Sequence, residues 1–401
     1  MLQKITLLAL ILVSFTVKAQ IQSFEEYEKA AMDKFDKFEE DKNRQFEEYL
    51  AAELKAFDEF VKKVSDIWGE DNAIVSTNKD WVEYTDDQQG RSVVDFEEGT
   101  AKVELIITDD DAKNPNVTRE KIEDQIVRLL TTQGTNKDYD TEFEKREPLS
   151  DEPVLAGQVE LPTPDNKTVK NEVLLPKKEL EQDVKELVES GNVKIETVKG
   201  KDGVERKVAS FTLALAPDNI KTRAEKFTVH IKHFSDKYNL SPALVCAIIH
   251  TESYFNPKAK SAASAYGLMQ LVPKSGARDA YKYVYGKDDI PTAQYLYDPQ
   301  KNIELGTAYM QKLIRNEFKN VKNADSRVLC AIAAYNTGAG NVSKAFTGNT
   351  KLGSAIPLIN DYNYNELYNY LYKNLPYKET RDYIKKVTER RALYEDWGWT
   401  M

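Results

Sequence analysis

The spacing of apolar residues changes along this chain, and each change marks a different kind of element. From Gln22 to about Ile67 glycine and proline are nearly absent. Phe35, Phe38, Phe46, Tyr49, Leu54, Phe57 and Phe60 recur there at helical spacings, which predicts one or two amphipathic helices with a mixed Glu, Asp and Lys outer face. From about Trp68 the period shortens. Val93, Asp95, Ala101, Val103, Leu105 and Ile107 alternate around Glu98-Gly99, predicting a β-hairpin. A helix begins near Thr118, with Ile122, Ile126 and Leu129 on one stripe, and a second lies between Lys177 and Glu189. Two more strands, Val193 to Val198 and Val204 to Leu215, flank the turn Lys199-Gly200-Lys201-Asp202-Gly203. After Pro217 the 3.6-residue period returns and holds to the C-terminus, broken briefly at Asn256-Pro257, Pro273, Pro291, Pro299, Gly338 and Pro376.

These elements predict an α+β fold in which a helical segment and a small α+β domain precede a mainly α domain. A length of 401 residues fits more than one core. Met1 to Lys4 place one positive charge before the apolar run Ile5 to Val17, and Val17-Lys18-Ala19 supplies a cleavage-site pattern. The run is shorter than the roughly 20 residues that span a bilayer, so no membrane-spanning segment is expected after cleavage. The expected divisions are a signal peptide at 1–19, an acidic helical extension at 20–67, an α+β accessory domain at 68–220 and a helical domain at 221–401. Export to the periplasm follows, with outer-membrane association left open, because no cysteine near the cleavage site could accept a lipid.

A formal net charge of −10 argues against a nucleic-acid partner, whose phosphates need a basic footprint. Cys246 and Cys330 both fall in apolar helical patterns and read as buried thiols, although export would also permit a disulfide. His230, His233 and His250 lack metal-ligand spacing, so neither a metal nor another cofactor is expected.

The candidate chemistry begins at Ser241-Pro242-Ala243-Leu244-Val245, where Ser reads as a helix cap and Pro as the first helical residue. Val245, Ile248 and Ile249 define an apolar stripe. Glu252 lies one heptad after Val245, so its carboxyl points to the same side near the helix end. Burial there raises a carboxyl pKa and suits it to act as a general acid on a glycosidic oxygen. Alone, a glutamate at a helix end is weak grounds for function.

Four ordered motifs strengthen it: Glu252-Ser253, Gly267-Leu268-Met269-Gln270, Ala334-Tyr335-Asn336-Thr337-Gly338-Ala339-Gly340, and Glu379-Thr380-Arg381-Asp382-Tyr383. In that order and spacing the chain resembles the lytic transglycosylases with a goose-lysozyme-like catalytic domain, over roughly residues 225 to 395. Upstream, Ile67-Trp68-Gly69, Tyr84-Thr85-Asp86, Arg91-Ser92 and Asp95-Phe96-Glu97-Glu98-Gly99-Thr100 resemble the N-terminal domain of the membrane-bound lytic murein transglycosylase C family. The chain departs from that family in lacking the lipid-accepting cysteine and in carrying the acidic helical segment.

The resemblance implies cleavage of peptidoglycan glycan strands with Glu252 as the essential acid and base. It implies substrate contacts from Ser261, Met269, Gln270, Tyr335, Asn336 and Tyr383. Against these stand plainer readings: Ser261 as a helix cap, Met269 as core, Tyr335-Asn336 as a helix end closed by Gly338 and Gly340, and Tyr383 as one tyrosine among many. No second carboxylate stands at an obvious partner position in the motifs, whereas ordinary glycosidases use two. The family's substitute is the substrate itself, whose acetamido group assists and whose C6 hydroxyl closes a 1,6-anhydro ring. A lysozyme using water at the same glutamate and a non-catalytic wall-binding scaffold remain as alternatives. The N-terminal regions are candidate surfaces for a cell-wall protein partner.

Overall fold

A computed structural model describes residues 2–162, 168–171, 177–261 and 263–399. Met1, Ala262 and the side chains of Phe35 and of the leader residues lie outside that description. The chain divides into two compact units, residues 1–55 and 56–401. The first is helical, within α1 (Leu2–Trp68), so one helix stands where one or two were expected. Phe38 and Leu54 are exposed on it, while the rings of Phe46 and Tyr49 pack 5.8 Å apart.

The second unit opens with a sheet. Its strands are β1 (Asp80–Tyr84), β2 (Gly90–Asp95) and β3 (Thr100–Ile107), then the short pair β4 (Glu160–Pro162) and β5 (Thr168–Lys170), then β6 (Lys194–Lys199) and β7 (Glu205–Ala214). The main sheet is antiparallel throughout in the order β1-β2-β3-β7-β6, with β4 and β5 forming a separate pair. The expected hairpin is β2–β3, closed at Asp95 opposite Thr100 with Gly99 at φ 68°, a left-handed turn conformation that suits glycine. Strand β1 was not expected from sequence.

Alternation along the strands gives the sheet two apolar faces. Trp81, Val94, Ala209 and Phe211 point to one. That face is covered by α3 (Pro115–Thr131), which follows the short α2 (Asp109–Lys113), and by α4 (Lys177–Ser190), through Ile122, Ile126, Leu129, Val184 and Val188. Val82, Tyr84 and Val208 point to the other and meet Phe60, Val64 and Trp68 from the end of α1.

The helical part comprises α5 (Asn219–Lys226), α6 (Thr228–Tyr238), α7 (Pro242–Ser253), α8 (Arg278–Tyr285), α9 (Ala293–Tyr297) and α10 (Pro299–Lys312). It continues with α11 (Ala324–Thr337), α12 (Ala339–Thr347), α13 (Leu352–Ile359), α14 (Tyr364–Asn374) and α15 (Lys378–Asp396). Pro242 occupies the first helical position of α7, but the Ser241 side chain makes no capping hydrogen bond. Nor is α7 amphipathic as its stripe suggested, because every residue from Pro242 to His250 is buried. Helices α15 and α6 pack against it, which is the pattern of a core helix.

Sheet and helices are joined by buried polar contacts. The Arg223 guanidinium donates to the carbonyl of Tyr254 (3.0 Å) and to Gln158 Oε1 (3.0 Å), and lies over the Phe96 ring. Lys258, only 2% exposed, donates to the carbonyl of Val82 and pairs with Asp138 at 2.7 Å. Cys246 and Cys330 are free and buried.

Candidate active site

Glu252 sits in the last turn of α7. The next residues, Tyr254 and Phe255, have φ of 51° and 59°, so two bulky residues in succession hold the left-handed conformation and turn the chain sharply away. Ser253 fixes this helix end from inside, its hydroxyl donating to the carbonyl of Leu268 at 2.7 Å. The pairing of Glu with Ser thus has a structural cause, since the serine anchors the turn that presents the glutamate.

Leu268 belongs to the second motif. Gly267 has φ 72°, and a Cβ there would lie 2.2 Å from the carbonyl oxygen of Leu296, so no larger residue fits without moving backbone. The Met269 backbone amide donates to Asn302 Oδ1 at 2.7 Å. Met269 is fully buried against Gly306. Its side chain is not among those that line the cavity. Its carbonyl instead accepts the Tyr335 hydroxyl at 2.9 Å. Gln270 does line the cleft, with its amide donating to the carbonyls of Ala259 and Gly267.

The third and fourth motifs meet at Asn336. Its Oδ1 accepts the Thr380 hydroxyl at 2.7 Å and its amide donates to Glu379 Oε1 at 3.3 Å. Tyr383, one turn further along α15, is buried and gives its hydroxyl to Glu252 Oε1 at 2.7 Å. It reaches the site through that oxygen rather than by offering a ring to the cleft. Ser261 lines the cleft and also steadies its own loop by accepting the Ala265 amide.

The resulting cavity holds about 460 Å³ and is lined by Glu252, Ser261, Gln270, Tyr335 and Asn336 together with residues given no role of their own from sequence. Two of the latter matter most. Asn78, from the segment before β1, lines the cleft and donates to the backbone carbonyl of Glu252 at 3.4 Å, a long contact. Glu379 is a second carboxylate in the lining, where sequence had shown no obvious partner for Glu252.

Burial pushes the Glu252 carboxyl from its ordinary value up to about 8, the Tyr383 hydrogen bond works in the opposite direction, and the charge of Glu379 raises it further. At neutral pH most of it is protonated. The hydroxyls of Tyr335 and Tyr383 are held neutral, mainly by burial and then by the charge on Glu252. His250, behind the site, is driven by burial down to about 2 and stays neutral. Among the described residues no cluster of His, Cys, Asp and Glu could hold a metal.

Comparison with known proteins decides the family. The description "Transglycosylase SLT domain" matches residues 230–356, and "Membrane-bound lytic murein transglycosylase C, N-terminal domain" matches residues 43–174. The membrane-bound lytic murein transglycosylase C of Klebsiella pneumoniae is 32% identical over 84% of this chain and 87% of its own. The chain belongs to the membrane-bound lytic murein transglycosylase C family. Its relative of that name from Actinobacillus pleuropneumoniae is 30% identical over 84% of this chain and 85% of its own. The 70 kDa soluble lytic transglycosylase of Escherichia coli aligns with 43% of this chain and 24% of its own length, at 25% identity and a TM-score of 0.33. Within the transglycosylase C family match, Asn78 falls in the N-terminal domain and Glu252 in the SLT domain, so the cleft draws on both.

Proposed function

We propose that this cleft cleaves the β-1,4 bond between N-acetylmuramic acid and N-acetylglucosamine in peptidoglycan glycan strands without water, leaving 1,6-anhydro-N-acetylmuramic acid ends. The observation that carries the reading is Glu252, an acid held protonated at neutral pH in the cavity wall of a lytic transglycosylase family member. In the first step its proton passes to the glycosidic oxygen as the C1–O bond breaks, while the acetamido oxygen of N-acetylmuramic acid closes on C1. In the second the C6 hydroxyl attacks C1, displaces that oxygen and returns its proton to Glu252. The attacking group belongs to the substrate, and a well-placed intramolecular hydroxyl has an effective molarity of about 10⁵ M or more.

Tyr383 would steer the Glu252 carboxyl, and Asn336, held by Thr380 and Glu379, would present its amide group to sugar beside Tyr335. Ser261 and Gln270 complete the proposed binding wall. Glu379 gives the water-using alternative one specific observation, since a second carboxylate could activate water. Product mass decides between them. Muropeptides released from purified peptidoglycan by wild type, and not by Glu252→Gln, are expected one water lighter than reducing muropeptides, whereas reducing ends would make the enzyme a lysozyme.

Residues 68–220 would act as an accessory domain and 221–401 as the catalytic domain. The leader pattern supports export to the periplasm, and among the described residues no helix is long and apolar enough to cross a membrane. Outer-membrane association, and a cell-wall protein partner at the N-terminal regions, are extensions of the same reading.

A further inference from the structure

The Asp95-to-Thr100 motif puts no side chain into the cleft wall, yet its turn reaches the helix end that carries Glu252. The Asp95 carboxylate accepts the backbone amides of Glu97 and Glu98, each at 2.9 Å, and so fixes the turn between β2 and β3. Glu97 Oε2 pairs with Lys79 at 2.6 Å, and Glu97 Oε1 accepts the Tyr254 hydroxyl at 2.7 Å. Arg390 of α15 donates to the same hydroxyl at 2.9 Å, so the phenol bridges a cation and an anion and spends its one proton on the anion. Arg390 also donates to the carbonyl of His250 in the last turns of α7. The backbone carbonyl of Tyr254 accepts Arg223 Nε, and the same guanidinium donates to the carbonyl of Phe96 at 3.4 Å. Phe96 and Glu97 thus hold Tyr254 at its carbonyl, through Arg223, and directly at its hydroxyl.

We propose that Glu97 is a positioning residue for the cleavage, acting through Tyr254 on Glu252 from outside the cleft. Tyr254 and Phe255 hold left-handed backbone without a glycine's freedom, and such a conformation persists only where its surroundings over-determine it. Tyr254 also closes α7, its amide donating to the carbonyl of His250. Freed from Glu97, Tyr254 can relax toward ordinary backbone and turn the last helical residues with it, Glu252 among them. The sugar-binding wall is held otherwise, Gln270 by Ala259 and Gly267 and Tyr335 by the carbonyl of Met269. A small displacement of the acid therefore lowers rate and leaves binding in place. Glu97 falls in the match to the N-terminal domain and Tyr254 in the SLT match, so one part of the chain aims the acid of the other.

The inference rests on the transglycosylase reading, and its test separates the two. Steady-state kinetics of the full chain on a soluble glycan fragment are measured beside Tm. Glu97→Ala and Tyr254→Phe are each expected to lower kcat about tenfold with KM within about twofold of wild type. Combined, they should lose no more than either alone, because both remove one bond. Glu97→Gln keeps an oxygen for the Tyr254 hydroxyl but not the charge that pairs with Lys79, and is expected to recover most of kcat. Tyr254→Phe keeps its ring, so it serves even if Glu97→Ala fails to fold. Unchanged kcat in Tyr254→Phe would overturn the proposal, as would additive losses in the double variant or a loss explained by melting at the assay temperature. A Glu97→Gln as slow as Glu97→Ala would overturn it too, by placing the effect in the Lys79 pair beside Asn78. If wild type released reducing ends, the transglycosylase reading would fail while the same comparison of kcat still judged Glu97. A wild type that released neither product would overturn both.

Discussion

The Tyr383 hydroxyl donates to Glu252 Oε1 at 2.7 Å, joining the end of α7 to the first turns of α15 across the cleft wall. That bond lowers the carboxyl pKa by favouring its ionised form, against burial, which raises it. Removing it therefore lets Glu252 rise above about 8. For Tyr383→Phe the alkaline limb of kcat/KM should move to higher pH, with kcat lowered because the carboxyl loses its orientation. A pH–rate profile on soluble muropeptide checks this, and a limb that stays in place would separate Tyr383 from the acid.

The charge on Glu379 acts in the opposite sense, since a neighbouring anion keeps Glu252 protonated. Glu379→Gln should move the same limb to lower pH while Asn336 keeps a hydrogen-bond partner in the new side chain. A parallel profile measures the shift. A fall in rate at every pH with no movement of the limb would point to a direct role in the chemistry.

Stability carries the same signature. The folded-state pKa of Glu252 is raised above the unfolded value, so the folded protein holds this proton more tightly and gains stability that is full below about 4.5 and lost as pH rises through about 8. Above that the ionised carboxyl is buried at a cost. Glu252→Gln should abolish cleavage and yet increase Tm relative to wild type near pH 9, by an amount equivalent to about 1.4 kcal/mol for each pH unit separating the two pKa values, as an upper limit. Equal Tm values across the range would contradict a buried acid.

Met269 distinguishes core from cleft. Its side chain is fully buried beside Gly306, so Met269→Ala should cost about 2–5 kcal/mol in denaturant unfolding with little change in KM. A raised KM with unchanged stability would return Met269 to the sugar-binding wall.

Asn78 makes the complementary case. Asn78→Ala removes a side chain that lines the cleft and touches the Glu252 carbonyl only at long range. It should lower kcat/KM several-fold with a stability change of about 1 kcal/mol or less. Steady-state kinetics beside thermal melts give both numbers, and a melt that falls as steeply as the rate would make Asn78 a structural residue.

Much of this was visible in the sequence wherever one local rule governed the outcome. The β2–β3 hairpin was legible because a two-residue period runs through Val93, Ala101 and Val103 on both sides of one glycine. Strand β1 escaped because it is five residues long, begins at the charged Asp80 and ends just before another acidic stretch. Glu252 could be found through its motifs, and its raised pKa followed from an apolar helix. Asn78 could not, since it lies 174 residues from Glu252 and is placed only when the segment before β1 reaches the end of α7. The burial of the Met269 side chain beside Gly306 was not legible either, since a motif identifies neighbours in sequence while that contact is tertiary.

Lys258 belongs to the SLT match by sequence, yet its ammonium is neutralised by Asp138 and capped by the carbonyl of Val82, both outside that match. A catalytic fragment cut near residue 220 would lose both partners and leave the Lys258 ammonium on newly exposed surface. The helices are therefore not a transplantable cassette, and a recombination event that exchanged one half for a distant relative's would have to bring the matching acid with it.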